Sequence, residues 1–131
     1  MYLDRLAELA QEEEVRRAIQ GRLRTGTMRA VASEIGISSR RLTSFLNLGS
    51  PRFETLERLL DWYGDQPEQE VAEGVVHILS LVYALPAPSR YPARVRLAQD
   101  LLTVYAAAEA QPPGWLIEET EVVGRALRSS A

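Results

Sequence analysis

Thr27-Met28-Arg29-Ala30-Val31-Ala32-Ser33-Glu34-Ile35-Gly36-Ile37-Ser38-Ser39-Arg40-Arg41-Leu42-Thr43-Ser44-Phe45-Leu46-Asn47 is the stretch whose reading decides the fold. Val31, Ile35, Ile37, Leu42 and Phe45 are its inward apolar set, placed at helical spacing on either side of Gly36. Two short helices that cross at close range need a small residue at the crossing and a glycine in the turn, and Ala32 and Gly36 supply them. Thr27 stands where an N-cap belongs, as does Ser38 or Ser39 for the second helix. The face opposite Leu42 and Phe45 carries Ser39, Arg40, Thr43, Ser44 and Asn47. Short polar groups with one arginine can lie close to the floor of a major groove, where a face of long charged chains would stand off.

Working outward, a first helix is expected over about residues 3–24. Leu3, Leu6, Ala7 and Ala10 lie on one face and Val15, Ala18, Ile19 and Leu23 on another, with a break expected near Gln11 to Glu14. Downstream, Pro51 precedes a helix in which Phe53, Leu56, Leu59, Leu60 and Tyr63 form the apolar set, closed by Gly64. Gly64-Asp65-Gln66-Pro67 is the internal boundary, dividing the chain into residues 1–64 and 65–131. Beyond it a helix is expected over 68–85, apolar nearly all round in its second half. A loop holding Pro86, Pro88 and Pro92 follows, then a helix over 94–110 burying Val95, Ala98, Leu101, Leu102 and Tyr105. A last helix is expected over 115–127, where Trp115-Leu116-Ile117 and Val122-Val123 would also suit short strands. The expected class is all-α: a bundle of short helices with a C-terminal helical extension.

The charge is unevenly placed. The 131 residues carry a net −3, yet residues 15–58 hold nine arginines against Glu34, Glu54 and Glu57, a local +6. The segments on either side are acidic, so a positive field is confined to the part that holds the two short helices. All basic side chains are arginine, a bias that extends into the acidic part and carries no functional weight.

Composition narrows the chemistry. With no cysteine and a single histidine, His77, disulfides, thiolate zinc sites and most nucleophile constellations cannot be assembled. His77, between Val76 and Ile78, is read as a satisfied interior or interface residue. Glu12-Glu13-Glu14 and Glu118-Glu119-Glu121 are read as solvated helix surface. No catalytic residue, metal site, cofactor or phosphate loop is expected, so an enzyme is not. No apolar run nears the ~20 residues of a membrane span, and the N-terminus lacks an apolar signal region, so the expectation is a cytoplasmic protein.

The 27–47 pattern resembles the helix-turn-helix of phage-repressor-like regulators, the Cro/C1 or XRE-like family. Pro51-Arg52-Phe53-Glu54-Thr55-Leu56 is similar to that family's lead into its fourth helix, and the resemblance covers about residues 12–64. It implies a lambda-repressor-like bundle that binds double-stranded DNA sequence-specifically and regulates transcription. On that resemblance Ser39, Arg40, Thr43 and Ser44 would read bases, and Arg29, Arg41, Asn47 and Arg52 would hold phosphates. Arg16, Arg17, Arg22 and Arg24 are assigned mainly to the back of the first helix. The family usually has glycine immediately after the position of Asn47, whereas this chain has Leu48 there.

One such unit has a small footprint, and two recognition helices about 34 Å apart on a pseudo-palindrome are the usual remedy. A homodimer formed through residues 65–131 is therefore expected. Two alternatives stand beside it: a small-ligand pocket in that half using Trp115, Tyr83 or Tyr105, and an antitoxin or adaptor whose acidic half binds a protein partner.

Overall fold

The computed structural model describes the backbone of residues 2–66 and 70–121, and the side chains from Arg5 onward within them. Those residues are all-helical. Six helices follow in order: α1 (Tyr2–Leu23), α2 (Met28–Ile35), α3 (Ser39–Leu46), α4 (Phe53–Tyr63), α5 (Glu73–Val82) and α6 (Ala87–Ala107). A further helix, α7, covers residues 114–121. The chain divides into two compact units, Met1–Val71 and Ala72–Ala131. The division falls C-terminal to the expected boundary at Gly64.

In the first unit the core gathers Val15, Ala18 and Ile19 of α1, Val31, Ala32 and Ile35 of α2, Leu42, Phe45 and Leu46 of α3, and Leu59 and Trp62 of α4. The inward set expected for α2 and α3 is thus buried, with Ile37 half-buried at the turn. Thr27 caps α2, its hydroxyl accepting from the Ala30 amide at 3.1 Å. Of the two candidate serines, Ser38 caps α3, accepting from the Arg41 amide at 3.1 Å. Gly36 ends α2 with φ 92°, and the amides of Gly36 and Ile37 both donate to the carbonyl of Ala32. That left-handed stop turns the chain straight into α3.

Three expectations for this unit are corrected. α1 runs unbroken through Gln11 to Glu14, because Glu13 is buried there against Arg16 and Arg17 instead of facing solvent. Within its first part Leu9 is fully buried while Ala7 is exposed. In α4 the buried face is Thr55, Leu59 and Trp62. Trp62 replaces Phe53, which is 75% exposed, because the α4 face that meets the core is rotated from the one the aliphatic spacing suggested.

The second unit is built on α5, α6 and α7. α5 begins at Glu73, with residues 70–72 non-helical, and buries Val75, Val76, Ile78, Leu79 and Val82. His77 is exposed, its Nδ1 lying 2.8 Å from the carbonyl of Glu73, so the interior histidine is corrected to a surface one. α6 starts seven residues earlier than expected, at Ala87. Pro88 sits in its first turn, where a missing N–H costs nothing, and Pro92 lies inside the helix, so the proline loop shrinks to the turn before Ala87. Val95 and Ala98 are buried as expected, whereas Leu101, Leu102 and Tyr105 are only half-buried.

α7 is held to both neighbours in its unit. The Trp115 indole lies on Gly74 of α5, so close that a Cβ there would overlap the ring. Glu119 and Arg94 of α6 form a buried two-point pair, Nε to Oε2 at 2.6 Å and Nη2 to Oε1 at 2.8 Å. Glu119 is therefore interior, and the acidic run 118–121 is not uniformly solvated. Residues 114–121 are helix, not strand; the part of the expected 115–127 helix after Glu121 lies outside the described residues. No described helix is long and apolar enough to cross a membrane.

Candidate nucleic-acid interface

The exposed side of α2, α3 and the start of α4 is built from the residues that the core leaves over. Once Leu42, Phe45 and Leu46 point inward, α3 leaves Arg40, Arg41 and Ser44 exposed, followed by Asn47, with Ser39 and Thr43 half-buried. The Thr43 hydroxyl donates to the Ser39 carbonyl one turn back at 2.9 Å. Arg29 of α2 and Arg52, the residue before α4, are exposed as well. All eight expected site residues thus retain solvent access.

The arginines sort into two groups. Arg16 and Arg17 are buried beside Glu13, Arg22 pairs with Glu34 at 3.0 Å, and Arg94 pairs with Glu119. Arg5 and Arg96 pair with Glu8 and Asp100 on their own helices, and Arg90 stacks over Tyr83 at 4.6 Å. Arg24, Arg29, Arg40, Arg41, Arg52 and Arg58 are exposed and make no ion pair with the described residues. Every unpaired guanidinium described therefore falls between residues 24 and 58.

Their placement on the helices adds to the field. Arg29 lies in the first turn of α2, and Arg40 and Arg41 in the first turn of α3, and neither turn carries an acidic residue. A helix N-terminus already bears a partial positive charge, so arginine there costs some stability, about 0.3–1 kcal/mol each, and favours an anion outside. Glu34, the one carboxylate of α2, is engaged by Arg22 and by Trp62 Nε1 at 3.2 Å. It is thereby partly neutralised.

Two features were not visible in sequence. Arg16 and Arg17 do not lie on the back of α1. The Arg16 Nε donates to the carbonyl of Phe45 at 2.9 Å, and its guanidinium lies 4.4 Å over the Phe45 ring, tying α1 to the end of α3. The available signal was the spacing Leu9, Glu13, Arg16, which continues a buried stripe through two charged positions. Arg58, given no role by the sequence, lies over the α2–α3 turn, its Nη1 2.9 Å from where a Cβ on Gly36 would sit.

Leu48 resolves the departure at the end of α3. It takes the left-handed conformation itself, with φ 67°, and its side chain is fully buried. The Leu48 amide donates to the Phe45 carbonyl at 3.1 Å and the Gly49 amide to that of Ser44 at 2.8 Å. This double closure is the Schellman arrangement, which glycine usually completes.

In the second unit a shallow cavity of about 420 Å³ is lined by Tyr91, Pro92, Val95, Arg96, Gln99 and Asp100, all of α6. It contains none of Trp115, Tyr83 and Tyr105, the aromatics considered for a ligand pocket. What these features define is an all-helical protein of two units in which, among the described residues, the unpaired arginines are confined to the first. The chain matches no family model, no curated protein and no solved structure.

Proposed function

We propose that this protein is a sequence-specific, double-stranded DNA-binding transcriptional regulator that places α3 in the major groove. The observation that carries the reading is the confinement of all unpaired arginines among the described residues to positions 24–58, three of them in helix first turns. Arg40 is the base-reading arginine, with Ser39, Thr43 and Ser44 beside it. Arg29, Arg41, Asn47 and Arg52 hold phosphates and set the register. The protein acts as a homodimer, a reading supported by the exposed Leu81, Leu85, Val104 and Ile117 of the second unit.

The test is selection from a randomised duplex pool, followed by titration of the selected site at several salt concentrations. Arg40→Ala is expected to relax one base position at a cost of about 1–3 kcal/mol. Arg52→Ala should weaken all sequences alike and lower the salt slope by about 1. Arg22→Ala, which removes an arginine already paired with Glu34, should leave the slope unchanged. If no site is enriched and binding simply vanishes with salt, the first unit is not a sequence reader. A sedimentation series on the free protein tests the dimer separately.

A further inference from the structure

Phe53 is the one large apolar side chain of the first unit that stands exposed among the described residues, at 75%; the other exposed large hydrophobics, Leu81, Leu85, Val104 and Ile117, belong to the second unit. It opens α4, whose buried face is Thr55, Leu59 and Trp62, so the core does not use it. A phenylalanine in a helix first turn gains nothing from helix propensity, and its ring gains nothing from water. Its neighbour Arg52 is exposed and without an ion-pair partner, and makes no side-chain cap to α4. The link from Asn47 at the end of α3 to Phe53 spans at most roughly 20 Å even if fully extended. The ring is thereby kept within roughly that distance of the end of α3.

We propose that Phe53 is an apolar DNA contact: its ring packs on deoxyribose carbons and thymine methyls beside a phosphate held by Arg52. The partner is duplex DNA and not a protein, because the ring lies in the stretch whose exposed, unpaired arginines, Arg24, Arg29, Arg40, Arg41, Arg52 and Arg58, outnumber its exposed carboxylates Glu54 and Glu57 once Arg22 is set against Glu34 and Arg16 and Arg17 against Glu13. That charge suits a polyanion and would repel a second copy of itself. The inference rests on the DNA-binding reading above and adds a non-ionic component to it. Ion-pair contacts release counterions from the DNA and so set the salt dependence, whereas an apolar contact releases none. Loss of Phe53 must therefore lower affinity at every salt concentration by the same factor.

The experiment titrates the selected duplex with the full chain and its Phe53→Ala, Phe53→Leu and Arg52→Ala variants over a range of salt. Phe53→Ala is expected to weaken binding about tenfold with an unchanged salt slope. Phe53→Leu, which retains most of the apolar area, should recover most of that loss. Arg52→Ala should reduce the slope. Because the ring is exposed, far-ultraviolet circular dichroism and thermal midpoint should match wild type, so lost binding cannot be put down to unfolding. Equal binding by Phe53→Ala overturns the proposal while leaving the regulator reading intact, as does a changed slope. If Phe53→Ala alters only the sedimentation of the free protein, the ring serves a protein contact and the proposal is again overturned. Failure of the wild type itself to select a site defeats the parent reading and this one together.

Discussion

Arg16 and Phe45 are joined twice, by a 2.9 Å hydrogen bond from the guanidinium Nε to the Phe45 carbonyl and by the guanidinium lying 4.4 Å over the Phe45 ring. Arg16 is fully buried, with Glu13, itself buried, 3.8 Å away. A charge in that position is tolerable only while its partners remain, and removing one member of a buried pair leaves the other uncompensated. Arg16→Ala should therefore cost about 3–5 kcal/mol, measured by urea unfolding. Arg16→Lys should recover only part of it, since an ammonium has no planar face to stack on the ring. The exposed Arg24→Ala should stay within about 0.5 kcal/mol of wild type.

Leu48 balances two opposing terms. Holding a leucine at φ 67° costs about 1–2 kcal/mol relative to a right-handed conformation. Its side chain is completely buried, and truncating a buried leucine costs about 2–5 kcal/mol. Packing exceeds strain, so Leu48→Gly should destabilise by about 1–3 kcal/mol even though glycine suits the turn better. Leu48→Ala keeps the strain and loses the packing, and should be the less stable of the two. Urea midpoints for both variants decide the order.

What was legible in the sequence follows what periodicity can register. Ala32, Gly36 and the inward set of α2 and α3 were readable because small, turn-forming and apolar residues each announce their position. Solvent access at Arg40, Arg41 and Arg52 was readable by exclusion from the apolar faces. Arg16, Glu13, Arg94 and Glu119 were not, because a hydrophobic pattern counts every charged residue as surface: Glu13 with Arg16 and Arg17 has the i,i+3 and i,i+4 spacing of an ordinary solvated helix pair, and the partner of Arg94 lies 25 residues away on another helix. Phe53 and Trp62 were exchanged for the converse reason. Both are apolar and nine residues apart on α4, and only the packing of α1 and α2 determines which one is covered. Pro92 misled because proline usually ends a helix, although one inside a packed helix forfeits a single hydrogen bond.

Gly74 is defined by what rests on it. A methyl group there would overlap the Trp115 indole, a rigid ring that cannot bend away as a flexible chain end would. Gly74→Ala gains up to about 1 kcal/mol of helix propensity but must displace the ring and the α7 helix behind it. Overpacking of this kind typically costs about 1–3 kcal/mol. The expected net result is a less stable second unit. Chemical unfolding should show a lower midpoint, and a Trp62→Phe background assigns the accompanying change in fluorescence to Trp115.

Arg94 and Glu119 should behave as one unit. Both side chains are buried, and each of the two short hydrogen bonds between them closes α7 onto α6. Deleting either charge strands the other in the interior, so Arg94→Met and Glu119→Met should each cost about 3–5 kcal/mol. In the double variant no charge of the pair is left stranded, and its total cost should fall well short of the sum of the singles. A double-mutant cycle in urea isolates that difference, expected at about 1–3 kcal/mol. Additive costs would mean that each residue is held by other partners and that the pair itself does not fasten α7.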